Sequence, residues 1–353
     1  MTRILGVLGL CLSLPALARG MDPRAIPLGD GKVNSSPRVG YVYSCNTIFR
    51  GGGARHVGDW IQGSSWDETR KIHVQGSVSW PQARLEVRIE SGGRRIAGNG
   101  LPMSGTTGVF PVQRSDPAFQ IDRNPNAIRS QELAVLLPVA PRFASQPFCV
   151  PMGPIGITVS GVLLFNALDD AGLDAVAHEV QDSCNGHPER RGRYHYHGPS
   201  PCIPGIGQPN TVVGFAFDGF PITGMIAADG REYTNADLDE CHGRVDVLTL
   251  DGMVVRTYHY AMTREYPYTV SCFRAQPVRL EAETSSASDQ PRMEPRGRPQ
   301  GPQPPAEALQ ACQGRGLHTP CEFTSPRGDE IRGVCGEPVP NVVACMPMQR
   351  PRY

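Results

Sequence analysis

The residue types able to do chemistry concentrate in one stretch: Asp182-Ser-Cys184-Asn-Gly186-His187-Pro188, then Tyr194-His195-Tyr196-His197-Gly198, then Ser200-Pro201-Cys202. Tyr-His-Tyr-His alternates as a strand does, so His195 and His197 are expected on one face and the two tyrosines on the other. Two imidazoles on one strand face make a bidentate metal site suited to zinc or copper, and His187 or Asp182 can supply a third ligand. A disulfide between Cys184 and Cys202 would close the segment into a short loop and hold its histidines together. Two later segments contribute His242, in Asp239-Glu240-Cys241-His242-Gly243, and His259, in Thr257-Tyr258-His259-Tyr260. Cys241 pairing with Cys272 would tie both together. The Tyr-His-Tyr at 258–260 echoes that at 194–196, but the echo alone does not establish a duplication. The expected metal ligands are therefore His187, His195, His197, His242 and His259, with Asp182 and Asp218 as candidate general bases.

Each of these has a plainer reading. An isolated pair of strand histidines is more often a hydrogen-bonded structural pair. What brings a metal site level with that reading is the crowding of histidines into one block of a chain that has nine. Asp218-Gly-Phe-Pro-Ile222 is first a turn carrying a buried aromatic. Tyr194, Tyr196, Tyr258 and Tyr260 read as half-buried sheet residues, and His56, His73 and His318 as surface residues. Gly51-Gly-Gly53 lacks the lysine and helix of a phosphate loop, so no nucleotide cofactor is expected. Neither a G-x-S-x-G elbow nor an H-E-x-x-H helix occurs, which removes the standard serine hydrolases and the zincins.

The elements that must carry these residues read as mainly β. Gly (40) and Pro (34) are abundant and apolar residues come in short bursts, a pattern of many strands and turns. Leu85, Val87 and Ile89 alternate with Glu86, Arg88 and Glu90, the period of a half-buried strand, and further strands are expected at 38–43, 71–78, 133–139, 161–165, 212–217 and 253–260. The exception is Asp174–Asp182, whose apolar stripe of Leu173, Val176, Ala177 and Val180 predicts a helix placing His178 and Asp182 on one face. The fold class expected is an antiparallel, sandwich-like β domain with one short helix, followed by a small disulfide-held module.

The ends of the chain read differently from its middle. Residues 1–18 have the short apolar run and Ala-Leu-Ala ending of an export signal. No apolar run reaches the length of a membrane span. Removing Cys11 with that signal leaves ten of the 11 cysteines, an even set with no C-x-x-C pair, which favours disulfides in a secreted or periplasmic protein. Lys+Arg and Asp+Glu are equal at 34 each, with no long single-sign run, so neither nucleic acid nor an anionic membrane is an expected partner. Residues 33–275 form the β-rich domain, with the motif block at 161–274. Residues 276–310 are poor in bulky apolar side chains and are expected to be a disordered linker. Residues 311–353 hold Cys312, Cys321, Cys335 and Cys345, whose three possible pairings the spacing leaves open.

Asp182-x-Cys-x-Gly-His187, Tyr194-His-Tyr-His197, Asp218-Gly-Phe-Pro-Ile222, Cys241-His-Gly243 and Tyr266-Pro-Tyr268 resemble the YHYH domain of exported bacterial proteins. The resemblance covers Asn166 to Phe273 and extends upstream through Gly108-Val-Phe-Pro-Val and Asp122-Arg-Asn-Pro-Asn. It implies export but no particular reaction. Three functions follow from the residues: a protein that binds zinc or copper through its histidine cluster, a metal-dependent hydrolase using the same cluster, and a metal-free extracellular scaffold or adhesion module. A His-x-His strand is also used by lysostaphin-type peptidases, whose second motif, a histidine four residues before an aspartate, is matched here by His178 and Asp182.

Overall fold

β-strands are the main regular elements in a computed structural model that describes residues 20–49, 51–90, 92–281, 305–317, 319–324, 330–339 and 342–347. The expected export signal and His318 lie outside the described residues. The chain divides into two units, Met1–Ser288 and Asp289–Tyr353.

In the first unit, short strands β1 (Ile26–Pro27), β2 (Val33–Asn34), β3 (Val42–Tyr43), β4 (Ile61–Gln62) and β5 (Ser65–Trp66) precede a three-stranded antiparallel sheet of β6 (Leu85–Glu90), β7 (Gly93–Gly98) and β8 (Leu133–Pro138). The period-two face expected to be buried on β6 is not: Val87 and Ile89 are 47% and 56% exposed. β6 and β8 are both edge strands of this sheet, and the core is reached by Leu133, Val135 and Leu137 of β8, which alternate with less buried neighbours.

An eight-stranded sheet holds the motif block. Its strands are β9 (Pro154–Thr158), β10 (Leu163–Phe165), β11 (Gly186–Pro188), β12 (Tyr194–Tyr196), β13 (Val212–Ala216), β14 (Pro221–Thr223), β15 (Gly243–Leu250) and β16 (Met253–Ala261), in the order β11-β12-β10-β9-β13-β14-β16-β15. The order is symmetric about the antiparallel β9/β13 pair. On one side β9/β10 is antiparallel, β10/β12 parallel and β12/β11 antiparallel. On the other, β13/β14, β14/β16 and β16/β15 repeat that sequence of pairings. The Tyr-His-Tyr echo therefore belongs to two equivalent halves, a relation the bare tripeptide does not establish.

The helix α1 spans only Ala175–His178, not the predicted Asp174–Asp182. Asp174 caps its start through Ala177 N (3.2 Å), and Glu179 is already extended at ψ 143°. The cause is competition for donors: Asp122 accepts from Val180 N at 3.1 Å, and Gly186 O accepts from Asp182 N at 2.9 Å, so backbone amides that would prolong the helix are bound elsewhere. His178 and Asp182 consequently share no helical face; His178 Nε2 instead meets Asp30 at 2.9 Å.

Cys184 pairs with Cys202 and Cys241 with Cys272, as the spacing suggested, and Cys45 pairs with Cys149. The start of the predicted linker is packed, with Val278 N donating to Phe217 O (2.9 Å) and Leu280 2% exposed. These two apolar side chains are what the segment buries. Residues 282–304 lie outside the described residues, and helix α2 occupies Ala306–Gln310. The second unit is an antiparallel sheet of β17 (Pro320–Thr324), β18 (Glu330–Val339) and β19 (Val342–Pro347). Its connectivity is Cys312–Cys335 and Cys321–Cys345, and those cysteines with Ala308 and Ala344 are its core.

Candidate metal centre

The site begins at a turn locked by one buried carboxylate. Asp182 accepts from Cys184 N (2.9 Å), Gly186 N (3.2 Å), Gly108 N (2.9 Å) and the Tyr194 hydroxyl (2.9 Å). Asn185 takes φ 57° within it, a conformation asparagine tolerates better than most residues. The turn launches β11 against β12 in a register that sets His187 opposite His195, and the Cys184–Cys202 bridge closes the loop behind them. β10 lies beside β12, and Phe165 stacks on the His195 ring with centroids 3.9 Å apart.

His187, His195 and His197 are brought together, their ligand atoms all within 4.8 Å of one another and their exposures 4%, 2% and 5%. Second partners fix two tautomers. His195 Nδ1 faces Arg193 O at 3.1 Å, and His197 Nδ1 is hydrogen-bonded to Asn166 O. A carbonyl can only accept, so each Nδ1 carries a proton and each neutral ring is left with a lone pair on Nε2. Those two Nε2 atoms stand 3.0 Å apart. Two lone pairs at that separation repel unless a proton or a metal ion lies between or beside them. A proton is disfavoured there: burial holds His197 down to about 4 and pushes His187 and His195 well below the usual imidazole range.

Glu179 approaches two members of the group from the end of α1. Its Oε2 lies 3.4 Å from Nε2 of both His187 and His197, and the Glu179 Oε2 and His187 Nε2 atoms are buried without a hydrogen-bond partner. His187 Nδ1 lies 3.5 Å from Asn124 Nδ2, which also donates to Pro188 O at 3.0 Å. For bonds of about 2.0–2.1 Å to a tetrahedral ion, ligand atoms stand roughly 3.4 Å apart. The 3.0 Å separation of His195 and His197 and the 3.4 Å approach of Glu179 to His187 and to His197 are of that order, while the group whose ligand atoms all lie within 4.8 Å of one another is the three imidazoles. Burial, reinforced by Asp122 and Asp169, raises Glu179 well above the carboxylate range, with Lys71 opposing. A bound cation reverses that balance and favours the charged carboxylate.

The four side chains open onto a cleft of about 850 Å³, whose lining also includes Asp122, Asp169, Asp170, Arg190 and Arg279. Side chains of both signs meet at its mouth, while Phe165 and Phe217 contribute apolar surface.

A buried Tyr-His-Tyr-His strand is thus braced by an Asp-x-Cys-x-Gly-His turn. Residues 134–232 match the YHYH protein family model. No curated protein and no solved structure matches the chain. The YHYH match begins in β8 and runs through β14, so it contains the whole histidine triad and stops short of β15 and β16.

The fold does not bring all the sequence-singled residues to this centre. His242 is enclosed elsewhere, Nε2 to Thr263 Oγ1 at 2.9 Å, and burial lowers it to about 3. His259 is held by Thr223 Oγ1 (2.9 Å) and Asp246 (3.1 Å). Neither belongs to the triad's group. Asp182 and Asp218 are fully buried hydrogen-bond acceptors and neither lines the cleft; Asp218 takes the Tyr260 hydroxyl at 2.6 Å and the Arg274 and Ala275 amides, and burial raises it to about 6. The lysostaphin comparison loses its second motif, because His178 is bonded to Asp30 and lies outside the triad. Sequence reasoning passed over Glu179, which a continuing helix would have carried away from the cleft. The acidic side chain directly after His178, at the end of the apolar stripe, was its available signal.

Proposed function

We propose that this chain is an exported protein that binds a transition metal ion, zinc or copper, through His187, His195 and His197, with Glu179 as a fourth ligand. The observation that carries the reading is the pair of Nε2 atoms 3.0 Å apart whose rings are both committed, through Nδ1, to carbonyl acceptors. Three imidazoles suit zinc and copper better than the hard cations, which prefer all-oxygen sites. Export is supported by the signal-like residues 1–18 and by five disulfides, which persist in oxidising compartments.

One observation favours a second reading, a metal-dependent hydrolase: the centre lies at a cleft and not inside a sealed core. A metal held there supplies Lewis acidity. In that reading Glu179, not Asp182 or Asp218, is the carboxylate able to take up and return a proton beside the ion.

Elemental analysis of the full chain purified from its export compartment tests the binding reading. Wild type should carry about one zinc or copper per chain, and His195→Ala/His197→Ala none. Folded wild type that takes up neither metal, even when both are offered, leaves the metal-free scaffold instead.

A further inference from the structure

The two halves of the eight-stranded sheet agree in detail. In the second half Asp239 repeats the locked turn of Asp182: it accepts from Cys241 N (2.9 Å), Gly243 N (3.0 Å) and the Tyr258 hydroxyl (3.0 Å), while His242, at φ 71°, takes the place of Asn185. Asp239 N donates to Gly243 O at 2.8 Å, as Asp182 N donates to Gly186 O at 2.9 Å. The pairing Gly186↔Tyr196 and His187↔His195 recurs as Gly243↔Tyr260 and Arg244↔His259. Tyr196 lies beside Leu164 of β10, as Tyr260 lies beside Ile222 of β14. Position by position, His195 corresponds to His259, His187 to Arg244 and His197 to Ala261.

The second half thus keeps one imidazole of three and sets a cation where the first half sets a ligand. Arg244 Nε is 2.7 Å from Asp246 Oδ2, and the same carboxylate oxygen is 3.1 Å from His259 Nε2. His259 Nδ1 in turn faces the Thr223 hydroxyl at 2.9 Å and Tyr260 O at 3.2 Å. Both ring nitrogens are used internally, unlike those of His195.

We propose that the second half is a latent transition-metal site, a counterpart of the His187/His195/His197 centre in which the Arg244 guanidinium, paired with Asp246, stands in for the ion. The inference rests on the metal reading of the first half. Restoring two imidazoles, by Arg244→His with Ala261→His, would leave Asp246 beside three ring nitrogens, the donor types found around Glu179.

The test is calorimetric titration with zinc alone, backed by elemental analysis, on the full chain. Wild type should bind one equivalent and Arg244→His/Ala261→His two, of which one survives when His195→Ala/His197→Ala is added. Wild type with one equivalent and a folded double variant also with one overturns this inference alone; wild type with none overturns the metal reading beneath it. Should the double variant fail to fold, the reciprocal change decides. His187→Arg should bind no zinc yet melt in excess chelator at a higher temperature than His187→Ala, because the guanidinium replaces the ion beside Glu179. A lower melting temperature for His187→Arg in chelator overturns the proposal.

Discussion

His242 sits at φ 71°, 1% exposed, with Thr263 as its side-chain partner and no carboxylate on its ring. Burial alone holds it down to about 3, against about 6.5 in an unfolded chain. The sign follows from proton counting. Below pH 6.5 the unfolded state binds a proton that the folded state refuses, so this contribution to stability is complete above about pH 6.5 and is lost as pH falls towards 3. His187, His195, His197 and His259 are lowered as well and act in the same direction. Asp174 and Asp218, raised to about 6 by burial, act oppositely: what they contribute is present below about pH 3.8 and lost as pH rises through 6. Asparagine is the natural replacement at 242, because Asn185 fills the equivalent turn position at φ 57°. In urea denaturation with chelator present, wild type should lose about 2 kcal/mol more than His242→Asn between pH 7 and pH 5, at about 1.4 kcal/mol per pH unit below 6.5. Equal losses in the two proteins would show that His242 carries no such linkage.

At the scale of elements, two bridges of different reach separate stability from site geometry. Cys184–Cys202 spans 18 residues and encloses all three histidines, while Cys45–Cys149 spans 104. Loop-closure entropy assigns the short bridge about 3 kcal/mol and the long one about 4.7 kcal/mol. Cys45→Ser/Cys149→Ser should therefore cost more in denaturant midpoint yet leave metal stoichiometry unchanged, whereas Cys184→Ser/Cys202→Ser should cost less and weaken metal binding. Competition against a chromophoric chelator reads the second effect, and the reverse ranking would show that the short bridge does not position the histidines. The strand and the short bridge were legible in the sequence because alternation and close cysteine spacing are local signals. The symmetry of the sheet was not, since the second hairpin is longer, with β15 spanning Gly243–Leu250 where β11 spans Gly186–Pro188, so the echo at Tyr258–Tyr260 arrives at a different distance from its Asp-x-Cys-x-Gly turn. Nor was Glu179, because helix periodicity ignores the capture of the Val180 amide by Asp122, a residue far away in sequence.

On the scale of the whole molecule, the two units bury separate sets of side chains. The first has a core extending from Ile26 to Leu280, while the second is built on Ala308, Ala344 and four disulfide-bonded cysteines. Among its described residues the small unit has too few buried apolar side chains to hold its sheet without cross-links, whereas the large one carries its own extended core and three bridges. Folding of the candidate metal centre should then be independent of residues 289–353. A chain ending at Ser288 should unfold within a few degrees of the main transition of the full chain and bind the same metal equivalent. Reductant should abolish a separate small transition in the full chain that is absent from the shorter one. Differential scanning calorimetry of both chains, with and without reductant, makes the comparison. If shortening lowers the main transition substantially or removes the metal, the tail supports the centre and the two units do not fold independently.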